Sequence, residues 1–500
     1  MTIPASHIKK RREAMGLTVT DLAGKLGVDK SFISRVEAGE RSLSDAQSQA
    51  LAAVLNVPAD LLLLESGKLP ADVQGAIDAD TAAAVAAVRA RAEQMAITHP
   101  KAPKRAFTPH ATPISLAPDI EGRIPARIEV SKASTTYRAH SYHTKVPPSA
   151  IKPFIEVFTE PGDLISDPFC GSGMTGVAAL DSGRNAILSD LSPAAVHIAR
   201  NYTAPCDPKA FRAAFERLRD AVEPTMSWLY TPVGAKRPIE YTVWSDVFRC
   251  EACEKPVRDM YTDRNRIALG RLWRGVLAEP DDRLRRALAF AFTNTAWHGT
   301  RMRRFNARGG HRPLTGTLYV PQLSAEANVL EVMRKKIGQL QAYYQALGAP
   351  TETPHVLMGS ATQLTGVADA SVDYVFTDPP FGSNIFYADC NLIWESWLGR
   401  ITDPTREAVV NRSLSVASGG KSLKDYAGLM TASMKEIARV LKPGGWATVV
   451  FHNTDGDVWA ALSAAAREAG FEFHEAASLD RKQQSHKGYK GREGGVRCAN

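Results

Sequence analysis

The sequence predicts an α/β fold built on a parallel, doubly wound sheet and preceded by a small all-α domain. Three observations carry that prediction. Four short apolar runs, DLISD (163–167), NAILSD (185–190), DYVFTD (373–378) and WATVVF (446–451), have the continuous hydrophobicity of strands covered on both faces. Helical stretches alternate with them at 192–201, 386–399, 422–442 and 457–469, the order of an open α/β sheet. Residues 4–66 read instead as a run of short helices. There Ile8, Leu17, Leu22, Ala23, Leu26, Val28, Ile33 and Val36 recur at helical spacing, with breaks at Gly16, Gly27 and Gly39.

Taken in order, a helical domain covers 1–70, and an Ala-rich helix with a Pro-rich linker covers 71–127. The first half of the sheet covers 128–203, a helix-rich insertion 204–354, and the second half 355–500. The balance of 61 Lys+Arg against 53 Asp+Glu gives +8, and the excess is clustered. Arg301, Arg303, Arg304, Arg308 and Arg312 occur with no acid among them, and 481–497 is basic apart from Glu493, which points to a polyanionic partner. No run of eighteen apolar residues exists, which argues against a membrane span. The N-terminus has no apolar stretch of a secretory signal, and the six cysteines lie mostly far apart. The expectation is a reduced, cytoplasmic protein.

Two motifs carry the chemistry. In DLISDPFCGSGMTGVAAL, Asp167 ends a strand, and Gly171, Gly173 and Gly176 lead into a helix. Glycines let backbone approach a ligand, and the helix start offers free N–H groups. Asp190 ends the next strand, where a carboxylate can accept both hydroxyls of a ribose. NAD and S-adenosylmethionine (SAM) both carry one. The second motif, Asp378-Pro379-Pro380-Phe381, follows another strand. Its prolines fix the backbone and remove N–H donors, leaving carbonyls to accept. Asp378 and the Pro379 carbonyl would suit the two hydrogens of an exocyclic amine, and Phe381 would offer a flat face to a base turned out of its stack.

The surrounding residues separate the cofactors. D-P-F-C-G-S-G-M-T-G resembles motif I of the amino-methylating DNA methyltransferases, D-P-P-F resembles their D-P-P-Y/F/W, and His143, Thr144, Lys145 and Pro147 resemble their H-x-T-x-K-P stretch. The resemblance implies a Rossmann-like class I methyltransferase sheet with SAM as cofactor. The residues it implies for SAM are Thr144, Lys145, Asp167, Phe169, Gly171, Gly173, Asp190, Leu191, Ser360 and Ala361. Catalysis would fall to Asp378, Pro379, Pro380 and Phe381, with adenine N6 favoured over cytosine N4. Ser360 stands where the family has an acid that contacts adenine.

LTVTDLAGKLGVDKSFISRVEAGERS resembles the helix-turn-helix of phage-repressor-type regulators, with a scaffold helix at about 18–26, a turn at Gly27 and a second helix from about Lys30. The resemblance implies that Lys30, Ser31, Ser34 and Arg35 meet base edges, and that Lys9, Lys10, Arg11 and Arg12 meet phosphate. Val19 stands where the family often has Gln. The insertion occupies the place of a target-recognition domain. Arg301, Arg303 and Arg304 would contact phosphate there, with Trp297, His298, Phe305 and His311 for stacking. Cys250-Glu251-Ala252-Cys253 is half of a zinc ribbon without its other two ligands, so no metal is expected. Residues 471–482 would begin a terminal hairpin of the sheet.

The partner implied is double-stranded DNA, with a homodimer through or around the helix-turn-helix and a cognate nuclease as further partners. The role would be restriction–modification, phage defence or epigenetic marking. An RNA amino-methyltransferase and a transcriptional regulator that senses SAM stay open as alternatives.

Overall fold

A computed structural model describes residues 12–13, 15–37, 45–55, 127–129, 134–245, 257–350, 352–416, 420–453, 455–474 and 478–480. The chain divides into two compact units, 1–106 and 107–500. The Ala-rich stretch 72–97, the proline-rich segment before residue 127, Lys9, Lys10, Arg11, Cys250 and Cys253, and the basic segment 483–497 lie outside the described residues.

In the first unit, α1 (Val19–Leu26), α2 (Lys30–Glu37) and α3 (Asp45–Leu55) enclose a core of Leu22, Ala23, Phe32, Ile33, Val36, Leu51 and Leu55. Thr18 and Asp21 form a capping box that starts α1, and Gly27, at φ 62°, ends it in the left-handed conformation. Val19 packs against this core, so the apolar residue found in place of Gln contributes to folding. Arg12 does not point to solvent as a phosphate contact would. Its guanidinium is buried and donates to both carboxylate oxygens of Glu37, at 2.6 and 3.0 Å, and to the Leu17 carbonyl at 2.7 Å. The pair ties the segment before α1 to the end of α2. Arg12→Ala is expected to cost the domain about 1.5–3 kcal/mol, the range for hydrogen bonds to a charged group. In the full chain this is checked as faster limited proteolysis within 1–70.

In the second unit the strands are β1 (Arg127–Glu129), β2 (Leu164–Asp167), β3 (Asn185–Asp190), β4 (Tyr241–Ser245), β5 (Leu323–Ala327), β6 (His355–Met358), β7 (Val372–Thr377), β8 (Leu441–Val449) and β9 (Ser478–Asp480). The helices that follow in chain order are α4 (Thr135–Ala139), α5 (Pro148–Phe158), α6 (Met174–Asp181), α7 (Pro193–Thr203), α8 (Pro208–Tyr230), α9 (Asp263–Leu277), α10 (Asp282–His298), α11 (Val329–Leu347), α12 (Tyr387–Leu398), α13 (Leu423–Val440) and α14 (Gly456–Glu468).

Five strands form the central sheet in the order β6-β3-β2-β7-β8, every pair parallel. Strand alternation sends Ile165, Leu188, Tyr374 and Phe376 to a core shared with α5, α6 and α7. Leu164, Ile187, Val372 and Val375 go to the opposite core, shared with α13 and α14. Both faces are therefore covered, which is why these strands read as unbroken apolar runs.

Residues 204–354 do not enclose a core of their own. Phe211, Phe215, Leu269, Phe290, Trp297 and Tyr343 belong to the same apolar cluster as Ile165, Tyr202 and Trp394. The expected terminal hairpin of the sheet is not formed by 471–480. Residues 471–474 are irregular, and β9 pairs parallel with β1 in a separate two-stranded sheet.

Candidate active site

Chain order β2-β3-β6 runs one way across the sheet, and β7-β8 runs the other way from the same starting point. The two directions diverge between β2 and β7, and ligands of open α/β sheets bind outside the carboxyl ends of the strands at such a point. A cleft of about 960 Å³, its mouth included, lies there. It is lined by Tyr142, Thr144, Lys145, Asp167, Phe169, Gly171, Ser172, Asp190, Leu191, Ser360, Ala361, Asp378, Pro380 and Tyr387, and by Thr402, Arg406 and Glu407 of the segment after α12, among others.

The glycine turn forms the floor. Gly173 caps α6 in the left-handed conformation at φ 78°, and a Cβ there would come within 2.7 Å of the Ala199 side chain on α7. A Cβ on Gly176 would meet Leu188 at 2.6 Å. The turn thus needs glycine so that α6 can lie close against β3 and α7. That packing presents the first-turn amides of α6, which have no intrahelical acceptor, at the end of β2.

Asp190 is where a ribose acceptor is expected. Its oxygens accept from Gly171 N and Ser192 N, each at 2.8 Å, so the carboxylate is fixed by backbone on both sides. Burial pushes its pKa up to about 6, against those hydrogen bonds, which favour the charged form. Ser192 is held in turn by Glu395 of α12, whose carboxylate is fully buried and also accepts from Thr402 N and Oγ1.

Other expected contacts are used inside the fold. Asp167 lines the cleft, but its carboxylate accepts from Thr175 Oγ1 at 2.6 Å, Thr377 Oγ1 at 2.8 Å and Phe169 N at 3.1 Å. It locks the end of β2 to α6 and β7. The Lys145 ammonium donates to the carbonyls of Tyr137 and His140 and to the Tyr202 hydroxyl. Burial lowers its pKa to about 7. With three donors and three acceptors it staples the segment before α5, and is spent before it could meet a cofactor carboxylate. Thr144 shares a hydrogen bond of 3.0 Å with the Tyr387 hydroxyl. Ser360 bonds Thr362 and has no acid in its place.

At the end of β7, Asp378 and Pro380 line the cleft, while Pro379 and Phe381 do not. The Pro380 carbonyl accepts from the Tyr426 hydroxyl at 2.9 Å, and the Phe381 carbonyl from Asn453 Nδ2 at 2.9 Å. The Phe381 ring lies edge-on to Phe451, with centroids 5.3 Å apart, as part of the α13–α14 core. It is packed where a base platform was expected. Tyr387 is one of the aromatic residues lining the cleft and feels the charge of Asp378, and the motif does not single it out.

The two groups of basic residues differ. Lys30, Ser31, Ser34 and Arg35 are all exposed on α2. In the insertion, Arg301 is half-buried, and Arg303 is turned inward to donate to the Ala325 carbonyl at 3.1 Å. Trp297 is a core residue at 3% exposure. Arg304, Arg308 and Arg312 remain exposed on a turn beside the antiparallel β4–β5 pair, where His311 stacks on Phe305 at 5.3 Å and lies 4.6 Å from Tyr241. Among the described residues no cluster of metal-ligating side chains is found, and no helix is long and apolar enough to cross a membrane.

A parallel sheet with a glycine turn after β2, an acid after β3 and D-P-P-F after β7 is consistent with a methyltransferase domain. The family is specified by comparison. Residues 121–201 match the DNA methylase family model and residues 8–62 a helix-turn-helix model, so the chain carries a DNA methylase-like segment behind an N-terminal helix-turn-helix segment. It is similar to the type II methyltransferase M.XycI of Xanthomonas campestris pv. cyanopsidis, 37% identical over 78 residues, which are 16% of this chain and 26% of that protein. It is also similar to the type II methyltransferase M.MvaI of Kocuria varians, 24% identical over 303 residues, 58% of this chain and 63% of that one. The chain spans less than two thirds of the length of either relative.

Proposed function

We propose that the chain is a SAM-dependent DNA methyltransferase acting on an exocyclic amine, adenine N6 in preference to cytosine N4. The observation that carries this reading is the meeting of Asp190 and Asp378 in one cleft at the switch point of the sheet. The cleft's residues fit SAM. Asp190 would hold the ribose hydroxyls, and the glycine turn with Ser172 and the α6 amides would take the amino-acid end. Leu191, Ser360 and Ala361 would border the adenine, with Phe169 near them. When bound, SAM supplies an electrophilic methyl carbon.

The chain's own part is acceptance and positioning. Asp378 accepts one hydrogen of the target amine, directing the nitrogen lone pair towards the methyl carbon. The Pro379 carbonyl, on the same loop although Pro379 is not among the cleft-lining residues, would have to turn towards the amine to accept the other. Their value rises as the nitrogen becomes cationic, so they stabilise the transition state more than the ground state.

Duplex DNA would be held by Lys30, Ser31, Ser34 and Arg35 on α2, and by Arg304 with Arg308 and Arg312 in the insertion. Binding of duplex DNA by the full chain is expected to weaken steeply with salt, and Arg35→Ala to weaken it further, read by fluorescence anisotropy. Long-read modification calling on DNA from cells expressing the chain tests the activity, and reports base and target sequence together. SAM binding without methylation of any DNA or RNA would favour a SAM-sensing regulator.

A further inference from the structure

Tyr387 enters the cleft from the side of the D-P-P-F loop. It is the first residue of α12, the helix that follows β7 and that loop, and it lines the cleft together with Asp378 and Pro380. The cofactor residues Gly171, Ser172 and Asp190 come from the ends of β2 and β3 instead. Phe381, the aromatic residue of the motif itself, packs edge-on to Phe451 against the α13–α14 core and is not among the cleft-lining residues.

Tyr387 is fixed at both ends. Its backbone N–H donates to Glu407 Oε1 at 2.5 Å, and its hydroxyl pairs with Thr144 Oγ1 at 3.0 Å. Glu407 is 7% exposed and accepts the next amide of α12, from Ala388, at 3.1 Å, so its carboxylate sits on the helix's positive end. Between these anchors the phenol body lies in the cleft wall with little side-chain freedom left to lose when a ligand arrives. Burial, and after it the negative charge of Asp378, push the phenol pKa far above its ordinary value, so the ring stays neutral at any working pH.

Resting on the methyltransferase reading above, we propose that Tyr387 is the aromatic platform for the target base, with Glu407 and Thr144 as the positioning residues that hold it. A base brought to Asp378 needs a flat apolar surface beside that carboxylate; of the aromatic residues lining the cleft, Tyr142, Phe169, Phe376 and Tyr387, Tyr387 is the one that follows the D-P-P-F loop and feels the Asp378 charge.

The test uses the full-length protein, tritium transfer from SAM to plasmid DNA, and SAM calorimetry on each variant. Tyr387→Leu is expected to lower kcat/KM for DNA about 10- to 100-fold, the effect of losing one base–aromatic stack, with SAM affinity within about twofold of the parent. Tyr387→Phe keeps the ring, loses only the Thr144 anchor, and should retain most of the activity. Phe381→Leu should cost less than Tyr387→Leu. Glu407→Gln keeps an acceptor for the α12 amides and should be milder than Glu407→Ala in kcat/KM for DNA. Equal losses in the Leu and Phe variants of Tyr387 would overturn the assignment. So would a parallel loss of SAM affinity in Tyr387→Leu, which would place the residue with the cofactor or the fold. A parent protein that binds SAM but leaves DNA unmethylated would remove the methyltransferase reading and this inference with it, whereas an active parent unaffected by Tyr387→Leu would remove only the inference.

Discussion

Asp378→Ala is expected to cut methyl transfer by about 100-fold or more while SAM affinity barely changes. The carboxylate sits at the end of β7, on the opposite side of the switch point from Asp190, and the proposed reading assigns it to the amine and not to the cofactor. Losing an acceptor that acts mainly in the transition state lowers kcat and kcat/KM together. Asp378→Asn retains one acceptor oxygen and should fall between the two. Tritium transfer to DNA and SAM calorimetry, run in parallel, read the split. Transfer at the parent rate by Asp378→Ala would show that the acceptor lies elsewhere.

Asp190→Ala should have the largest effect on cofactor binding. Two hydrogen bonds from ribose hydroxyls to a carboxylate are worth about 1.5–3 kcal/mol each, which corresponds to roughly 10²–10⁴ in SAM affinity. Part of that loss would pass through the turn, because Asp190 also holds Gly171 N and Ser192 N. Asp190→Asn, which keeps acceptor oxygen, separates the two contributions. The pH dependence follows from burial. With its pKa pushed up to about 6, Asp190 is charged above that value and becomes protonated below it. Ribose hydroxyls prefer the charged acceptor, so SAM binding should release protons near pH 6, and affinity should fall as pH drops through that range. In Asp190→Asn this component of the pH dependence should vanish. An unchanged pH profile in that variant would mean that another group, such as Asp167, carries it.

Much of this protein could be read along the chain because the relevant physics is local. The strands at 163–167, 185–190, 373–378 and 446–451 announce themselves because the covered sheet keeps most of their central residues apolar. β6 is not legible: His355–Met358 has the same length as β2, but only Val356 is buried, so it leaves no apolar run between turn signals. The start of α1 is written in Thr18 and Asp21, and its end in Gly27. The glycine turn is legible for the same reason, since Gly173, at positive φ and against the Ala199 backbone, leaves no room for a side chain.

Charge and aromaticity were misleading wherever a side chain's partner lies far away in sequence. Arg12 reads as a phosphate contact until Glu37 is brought to it, and Lys145 as a cofactor ligand until the carbonyls of Tyr137 and His140 surround it. Arg303 and Trp297 belong to a basic, aromatic stretch in which one residue turns inward and the other fills the core.

By itself, then, the sequence determined the α/β order, the helical N-terminal unit, the glycine turn, Asp190 and Asp378, since each depends on spacing within one strand–turn–helix unit. Tertiary structure alone decided which side chains reach the cleft. Phe381 and Tyr387 stand six residues apart in one loop and helix start, and nothing in their spacing says which lines the cleft. That is settled by Phe451 packing on the one, and by Thr144 and Glu407, 243 and 20 residues away, anchoring the other.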